Sequence, residues 1–251
     1  LGASAPSTKM IGTIARSSNS SMANADRPTG LSVPTSGSTI AVDDSATRNP
    51  GKVREIKAIC ADWPVAWITF EQVEWPEVEE NGMTYLDNAL LKARSVADVT
   101  GKAALADDSG LEVDALGGAP GPRSARYAGI DANDAENLRA LVRAVAGVPR
   151  AGRTARYRAV AVVAWPGGRH VWAEGDCEGL LRTKAAGSGG FGYDPIFEPL
   201  GWDRTMAELD PEEKDRISHR GRALRALREI LAGKRESLNG RRINGPKGSG
   251  T

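Results

Sequence analysis

Ala104-Leu105-Ala106-Asp107-Asp108-Ser109-Gly110-Leu111-Glu112-Val113 sets two adjacent carboxylates between a short apolar run and a Ser-Gly pair. The apolar run reads as a buried strand, and the Ser-Gly step as the turn that ends it. In α/β proteins the end of such a strand is where ligands bind. Neighbouring side chains on a strand point to opposite faces, so at most one acid faces any one site unless the strand has already ended. Self-repulsion and desolvation make the pair expensive without a cation or strong hydrogen bonds. Magnesium suits carboxylate oxygens. The same residues are also a common loop composition, and taken alone the fragment favours that plainer reading.

Around this stretch, strand-like and helix-like segments alternate. Thr39 to Val42 reads as a short strand. Asn49-Pro50 then makes an N-cap and first helical residue, with Val53, Ile56 and Ile59 at helical spacing behind it. Val65 to Phe70 reads as a strand. Thr84 and Asp87 form a capping box for a helix that runs to about Val99 and ends at Gly101. Asp134 is read as the cap of another helix. Ala155 to Trp165, a Pro-Gly-Gly turn and Arg169 to Leu181 read as an antiparallel hairpin. Asp210-Pro211 opens a short helix, and a last one carries Leu224, Leu227, Ile230 and Leu231. The pattern predicts one α/β domain with a mixed sheet over 39–235, with disordered tails over 1–38 and 236–251.

Composition narrows the function. A net charge of +1 gives no global field to attract nucleic acid or an anionic membrane. Cys60 and Cys177 are the only cysteines, and His170 and His219 the only histidines. They make neither a disulfide framework nor a His-rich zinc site, and free thiols in a reducing compartment are expected. The apolar run Ala159 to Trp165 is too short to span a bilayer. Residues 1–38 lack an apolar core of signal-peptide type.

Four further segments carry candidate chemistry. Thr47-Arg48-Asn49-Pro50-Gly51-Lys52 sets a hydroxyl and two cations at a helix start, where free N–H groups and the dipole suit phosphate. It lacks the Walker A spacing and in isolation is more simply an ordinary N-cap. Glu77-Val78-Glu79-Glu80-Asn81-Gly82 is either a solvated acidic loop or the source of a second metal carboxylate. Ala185-Ala186-Gly187-Ser188-Gly189-Gly190-Phe191-Gly192-Tyr193-Asp194-Pro195 allows close backbone approach to a ligand. It leaves Phe191 either free to stack on a base or tucked into the core, with Asp194 able to accept from ring N–H groups. Lys214 and Ser218-His219-Arg220-Gly221 supply cations and donors for phosphate or a base carbonyl, or simply a solvated helix junction.

Taken together and in this order, these segments resemble the inosine triphosphate pyrophosphatase family. The resemblance runs from about Ala46 to Leu231. It is strongest at Ala106 to Leu111, Leu116-Gly117-Gly118-Ala119-Pro120-Gly121, Ser124-Ala125-Arg126-Tyr127, Gly189 to Pro195 and Ser218 to Gly221. It implies an elongated, two-lobed α/β fold with a long mixed sheet flanked by helices and a substrate cleft between the lobes. It also implies a cytoplasmic homodimer that needs Mg2+ and releases pyrophosphate from ITP, dITP or XTP, with no nucleic-acid or membrane partner.

Carried onto this chain, the family's pattern has Thr47, Arg48, Asn49, Pro50, Gly51 and Lys52 gripping the triphosphate. Asp108 is the catalytic acid–base group and a metal ligand. Glu79 is the other metal ligand, with Glu80 its alternative. Lys92 and Ser109 touch phosphate or metal-bound water. Phe191 stacks on the purine, Gly192 and Tyr193 beside it also bind substrate, and Asp194 helps read the purine edge. Lys214, His219 and Arg220 complete recognition. One departure stands out: Asp43 and Asp44 precede the phosphate segment where the family has an apolar strand. A nucleotide-binding homologue with impaired turnover, or a pyrophosphatase with another base preference, is the alternative.

Overall fold

A computed structural model describes residues 38–42, 50–68, 73 and 78–233, all within one compact unit of residues 32–251. Ser38, expected in the N-terminal tail, opens the first strand; the rest of the expected tails, Thr47, Arg48 and Asn49, and the Asp43-Asp44 departure lie outside the described residues. The six-stranded mixed sheet is built from β1 (Ser38–Val42), β2 (Val65–Ile68), β3 (Ala103–Val113), β4 (Thr154–Ala164), β5 (His170–Leu181) and β6 (Phe197–Pro199). Their spatial order is β2-β1-β3-β4-β5-β6. The first three are parallel, and β3 to β6 are antiparallel. Helix α1 (Pro50–Ile59) carries the chain from β1 outward to β2, and α2 (Tyr85–Thr100) returns it to β3 on the other side of β1. The strand order therefore reverses between β1 and β3. In open α/β sheets ligands bind outside the carboxyl ends of strands at such a reversal.

The acidic pair sits at that point. Val42, the last residue of β1, is paired with Leu105, so Asp107 and Asp108 come just after β1 has ended. The turn expected at Ser109-Gly110 is absent. β3 continues to Val113, with Asp108, Ser109 and Gly110 opposite Val160, Ala159 and Arg158 of β4. The composition of Asp107-Asp108-Ser109-Gly110 suits a turn, but it suits a strand once the two buried acids are partnered. The partners come from distant helices: Lys52 and Arg220 for Asp107, Lys92 and Asn88 for Asp108. The alternation rule holds, since each acid is served by a different set of helices.

Gly110 is set by crowding rather than by a turn. A Cβ there would lie 2.3 Å from the Gly121 carbonyl oxygen and 2.7 Å from Ser124 Oγ. Gly110→Ala should therefore cost about 2 kcal/mol, the usual range for overpacking. Urea denaturation measures it, and an unchanged midpoint would contradict the close approach.

Two of the buried apolar clusters lie toward opposite ends of β3. One packs the Ala-rich face of α2, through Ala89, Ala93, Val96 and Ala97, on Ala104, Ala106, Val160 and Val162. The other gathers Leu111, Tyr157 and Leu181 with Leu141 and Val145 of α3 (Asp134–Val145) and with Tyr193, Ile196 and Phe197. The acidic pair lies between them along β3. The capping box of Thr84 and Asp87 and the end at Gly101 are as expected. α3 differs by one residue: Asn133 is its cap, boxed with Glu136, and this releases Asp134 to accept from the Gly192 N–H at 2.8 Å. α4 (Pro211–Ile217) and α5 (His219–Leu231) follow. α5 lies directly over β5, where a Cβ at Gly175 would meet the His219 carbonyl oxygen at 2.3 Å.

Candidate active site

Three groups of side chains converge at the end of β1. The first is at the start of α1. Pro50 and Gly51 form its first turn, and Lys52 turns inward. Lys52 Nζ lies 2.9 Å from Asp107 Oδ1 and donates to the Asp107 carbonyl at 2.8 Å. Burial lowers the lysine pKa, against the pull of Asp107. Burial alone would raise the Asp107 pKa, but Lys52 and Arg220 override it and hold the carboxyl far below its usual range.

The second group is the acid arm. Lys92 of α2 reaches Glu80 Oε1 at 2.6 Å and Asp108 Oδ1 at 3.2 Å. Asn88, one helical turn earlier, donates to Asp108 Oδ2 at 3.1 Å and accepts from the Gly82 N–H at 2.8 Å. Two carboxylates therefore meet at one ammonium. Burial raises the Asp108 pKa despite Lys92, whereas Lys92 holds Glu80 low against its own burial. Glu79 is exposed on the adjoining loop, so the structure brings Glu80, not Glu79, to Asp108. Among the described residues no cluster of three His, Cys, Asp or Glu could hold a metal. Two converging carboxylates still fit Mg2+, which typically takes one or two protein carboxylates and fills its octahedron with water and substrate phosphate.

The third group surrounds Phe191. Lys214 Nζ lies 4.8 Å from the ring centroid and the Arg220 guanidinium carbon 5.5 Å. The ring is thus bordered by cations and only partly buried. Asp194 is fully engaged in holding this loop. Its Oδ2 accepts from the Phe191 N–H at 2.9 Å and from Lys214 Nζ at 2.5 Å. Asp194, expected to read a base edge, is buried here with Oδ2 committed to the loop. Gly190, at φ 69°, passes so close to Asp194 that a Cβ would lie 2.0 Å from Oδ2. Tyr193 is a core residue whose hydroxyl donates to the Ser124 carbonyl at 2.8 Å. His219 stacks on Tyr157 at 4.6 Å, and its buried Nδ1 has no hydrogen-bond partner. Burial, Arg220 and Lys214 drive its pKa well down, so the ring is neutral.

Arg220 ties the groups together. Its guanidinium contacts Asp107 Oδ2 at 3.1 Å, Ser109 Oγ at 2.9 Å and the Glu55 carboxylate. Glu55 also takes Lys214 Nζ at 2.6 Å. Sequence reasoning missed Glu55 and Asn88. Both carried a signal: Glu55 is three residues after Lys52 and Asn88 four before Lys92, each on the same helix face as a residue already singled out.

A family model described as the Ham1 family matches residues 45–230. The chain belongs to the Ham1 family. That span includes all three groups and bears out the resemblance drawn from the motifs. A dITP/XTP pyrophosphatase of Desulforamulus reducens is 50% identical over 189 residues, covering 74% of this chain and 93% of the relative. One from Streptomyces coelicolor is 48% identical over 196 residues, covering 74% and 96%. The solved Ham1 protein of Coxiella burnetii superposes with a TM-score of 0.70 at 38% identity, over 78% of this chain and 99% of that one. The nucleoside-triphosphatase or dITP/XTP pyrophosphatase of Mycobacterium abscessus superposes with a TM-score of 0.61 at 45% identity, over 75% and 98%.

Proposed function

We propose that this protein hydrolyses deaminated purine nucleoside triphosphates (ITP, dITP and XTP) to the monophosphate and pyrophosphate, using Mg2+, as a cytoplasmic homodimer. Its role is to remove these nucleotides before they enter DNA or RNA. The observation that carries the reading is the convergence of Asp108 and Glu80 on Lys92 at the sheet's reversal point. Arg220 links that point to the Phe191 ring through Asp107 and Ser109. Among the described residues no helix is long and apolar enough to cross a membrane.

The chain's residues divide the chemistry. The Phe191 ring offers an apolar face for the purine. Lys214, His219 and Arg220 offer donors to its 6-oxo group. A neutral imidazole keeps one N–H to give, and an adenine amino group would leave such donors unpaired in a desolvated site. Lys52, Lys92 and Arg220 neutralise phosphate oxygens, with Thr47, Arg48, Asn49, Pro50 and Gly51 completing the grip at the start of α1. Asp108 accepts the proton of the water that attacks the α-phosphorus. Mg2+ held by Asp108 and Glu80 would draw charge from the phosphate oxygens.

The choice between the two glutamates is directly testable. Glu80→Gln should cut pyrophosphate release from ITP by about a hundredfold, whereas Glu79→Gln should change it by less than about threefold. Initial rates at saturating Mg2+ measure both. A larger loss from Glu79→Gln would reverse the assignment.

A further inference from the structure

We infer that Arg126 is a positioning residue that sets the Glu80 carboxylate for metal binding; this rests on the function proposed above. The Arg126 guanidinium donates to the main-chain carbonyl of Glu80 at 3.0 Å, across 46 residues of sequence. It is partly buried, and it meets Glu80 at the main chain rather than at the carboxylate that Lys92 holds. It therefore acts on where the Glu80 backbone lies, and through it on where the carboxylate points.

The segment that carries Arg126 is a fixed frame. Ser124 Oγ accepts from the Leu111 N–H of β3 at 2.8 Å and donates to the Gly121 carbonyl at 2.6 Å. Asn137 of α3 donates to the Ala125 carbonyl at 2.9 Å and accepts from the Ala128 N–H at 2.8 Å. The Tyr193 hydroxyl takes the Ser124 carbonyl at 2.8 Å. Residues 124–128 are thus bolted to β3, to α3 and to the loop that carries Phe191.

The acid arm has no such frame of its own. Residues 78–82 form neither helix nor strand. Among the described residues, the arm is tied to the helices and to the Arg126 segment by the Gly82 N–H donating to Asn88, Lys92 donating to the Glu80 carboxylate, and Arg126 donating to the Glu80 carbonyl. The bond to Lys92 occupies one oxygen of the carboxylate a metal would take, and its geometry changes if that carboxylate turns to a cation. The Arg126 bond to the Glu80 carbonyl and the Asn88 bond to the Gly82 N–H hold the arm through its backbone and are independent of the ligand oxygens. Outer-shell partners of this kind typically contribute about ten- to a hundredfold to metal affinity.

The test uses the full chain and Mn2+ as the probe, with the free ion followed by electron paramagnetic resonance. Arg126→Ala should raise the Mn2+ dissociation constant by about tenfold. It should raise the Mg2+ concentration for half-maximal pyrophosphate release from ITP by a similar factor. Thermal unfolding should shift little, because the Ser124 and Asn137 bonds remain. Arg126→Lys keeps a donor and should recover part of the loss. A Mn2+ dissociation constant for Arg126→Ala within about twofold of the parent would overturn the inference. Equal loss in the alanine and lysine variants would also overturn it. If the parent protein releases no pyrophosphate, the proposed function fails, while the Mn2+ titration still reads the role of Arg126.

Discussion

Asp108→Asn should lower pyrophosphate release from ITP by about a thousandfold, within the range for loss of a general base. Asparagine keeps the volume of the side chain and can still accept from Lys92, which sits 3.2 Å from Oδ1. It loses the ability to take a proton. It also weakens the site's hold on a cation, because one of two converging carboxylates becomes neutral. The fold should survive. Asn88, whose amide oxygen is held by the Gly82 N–H, loses its acceptor, but Lys92 retains Glu80 at 2.6 Å. Circular dichroism and single-turnover rates separate the two effects. A variant that is folded, binds ITP and still turns over within about tenfold of the parent would remove Asp108 from the chemistry.

Arg220→Ala should destabilise the protein by about 3 kcal/mol, the cost of stranding buried charge. The side chain is 1% exposed and serves Asp107, Glu55 and Ser109 at once. Without it Asp107 keeps Lys52 and Glu55 keeps Lys214, so the loss should sit at the lower end for broken buried pairs. Arg220→Lys should recover only part, since a point charge cannot span three acceptors.

The pH dependence has a definite sign. Lys52 and Arg220 depress the folded pKa of Asp107. Its stabilisation is therefore present above the unfolded carboxylate value of about 3.9 and lost as pH falls through the folded pKa. Removing Arg220 raises that folded pKa, so acid unfolding should begin at a higher pH than in the parent. Urea titrations between neutral pH and pH 3 measure both effects. A loss below about 1 kcal/mol would show that the network does not carry the junction.

Much of the fold was legible because its signals are local. Thr84 with Asp87, Asp210 with Pro211, and the Pro166-Gly167-Gly168 turn each mark a boundary through residues a few positions apart. β3 was misjudged at its centre for the opposite reason. Whether Asp107 and Asp108 may lie inside a strand depends on Lys52, Lys92 and Arg220, which the chain brings in from far away. The short edge strand β6 was missed because its three residues gain their strand character only by pairing with β5.

The site divides in the same way. Residue types were readable from the motifs, but not their tasks. Asp194 spends its carboxylate on Phe191 and Lys214, and Tyr193 its hydroxyl on Ser124. Glu79 and Glu80 differ by a single position, and only the contact with Lys92 separates them. The exposed Glu79 has the same sequence credentials and none of the geometry.

Pyrophosphate release from ITP, dITP, XTP, GTP and ATP in the presence of Mg2+, compared by kcat/KM, tests the central claim most directly. Strong release from the three deaminated nucleotides, with ATP and GTP slower by about a hundredfold or more, is the predicted result. Equal turnover of ATP and ITP, or ITP binding with no pyrophosphate released, would contradict it.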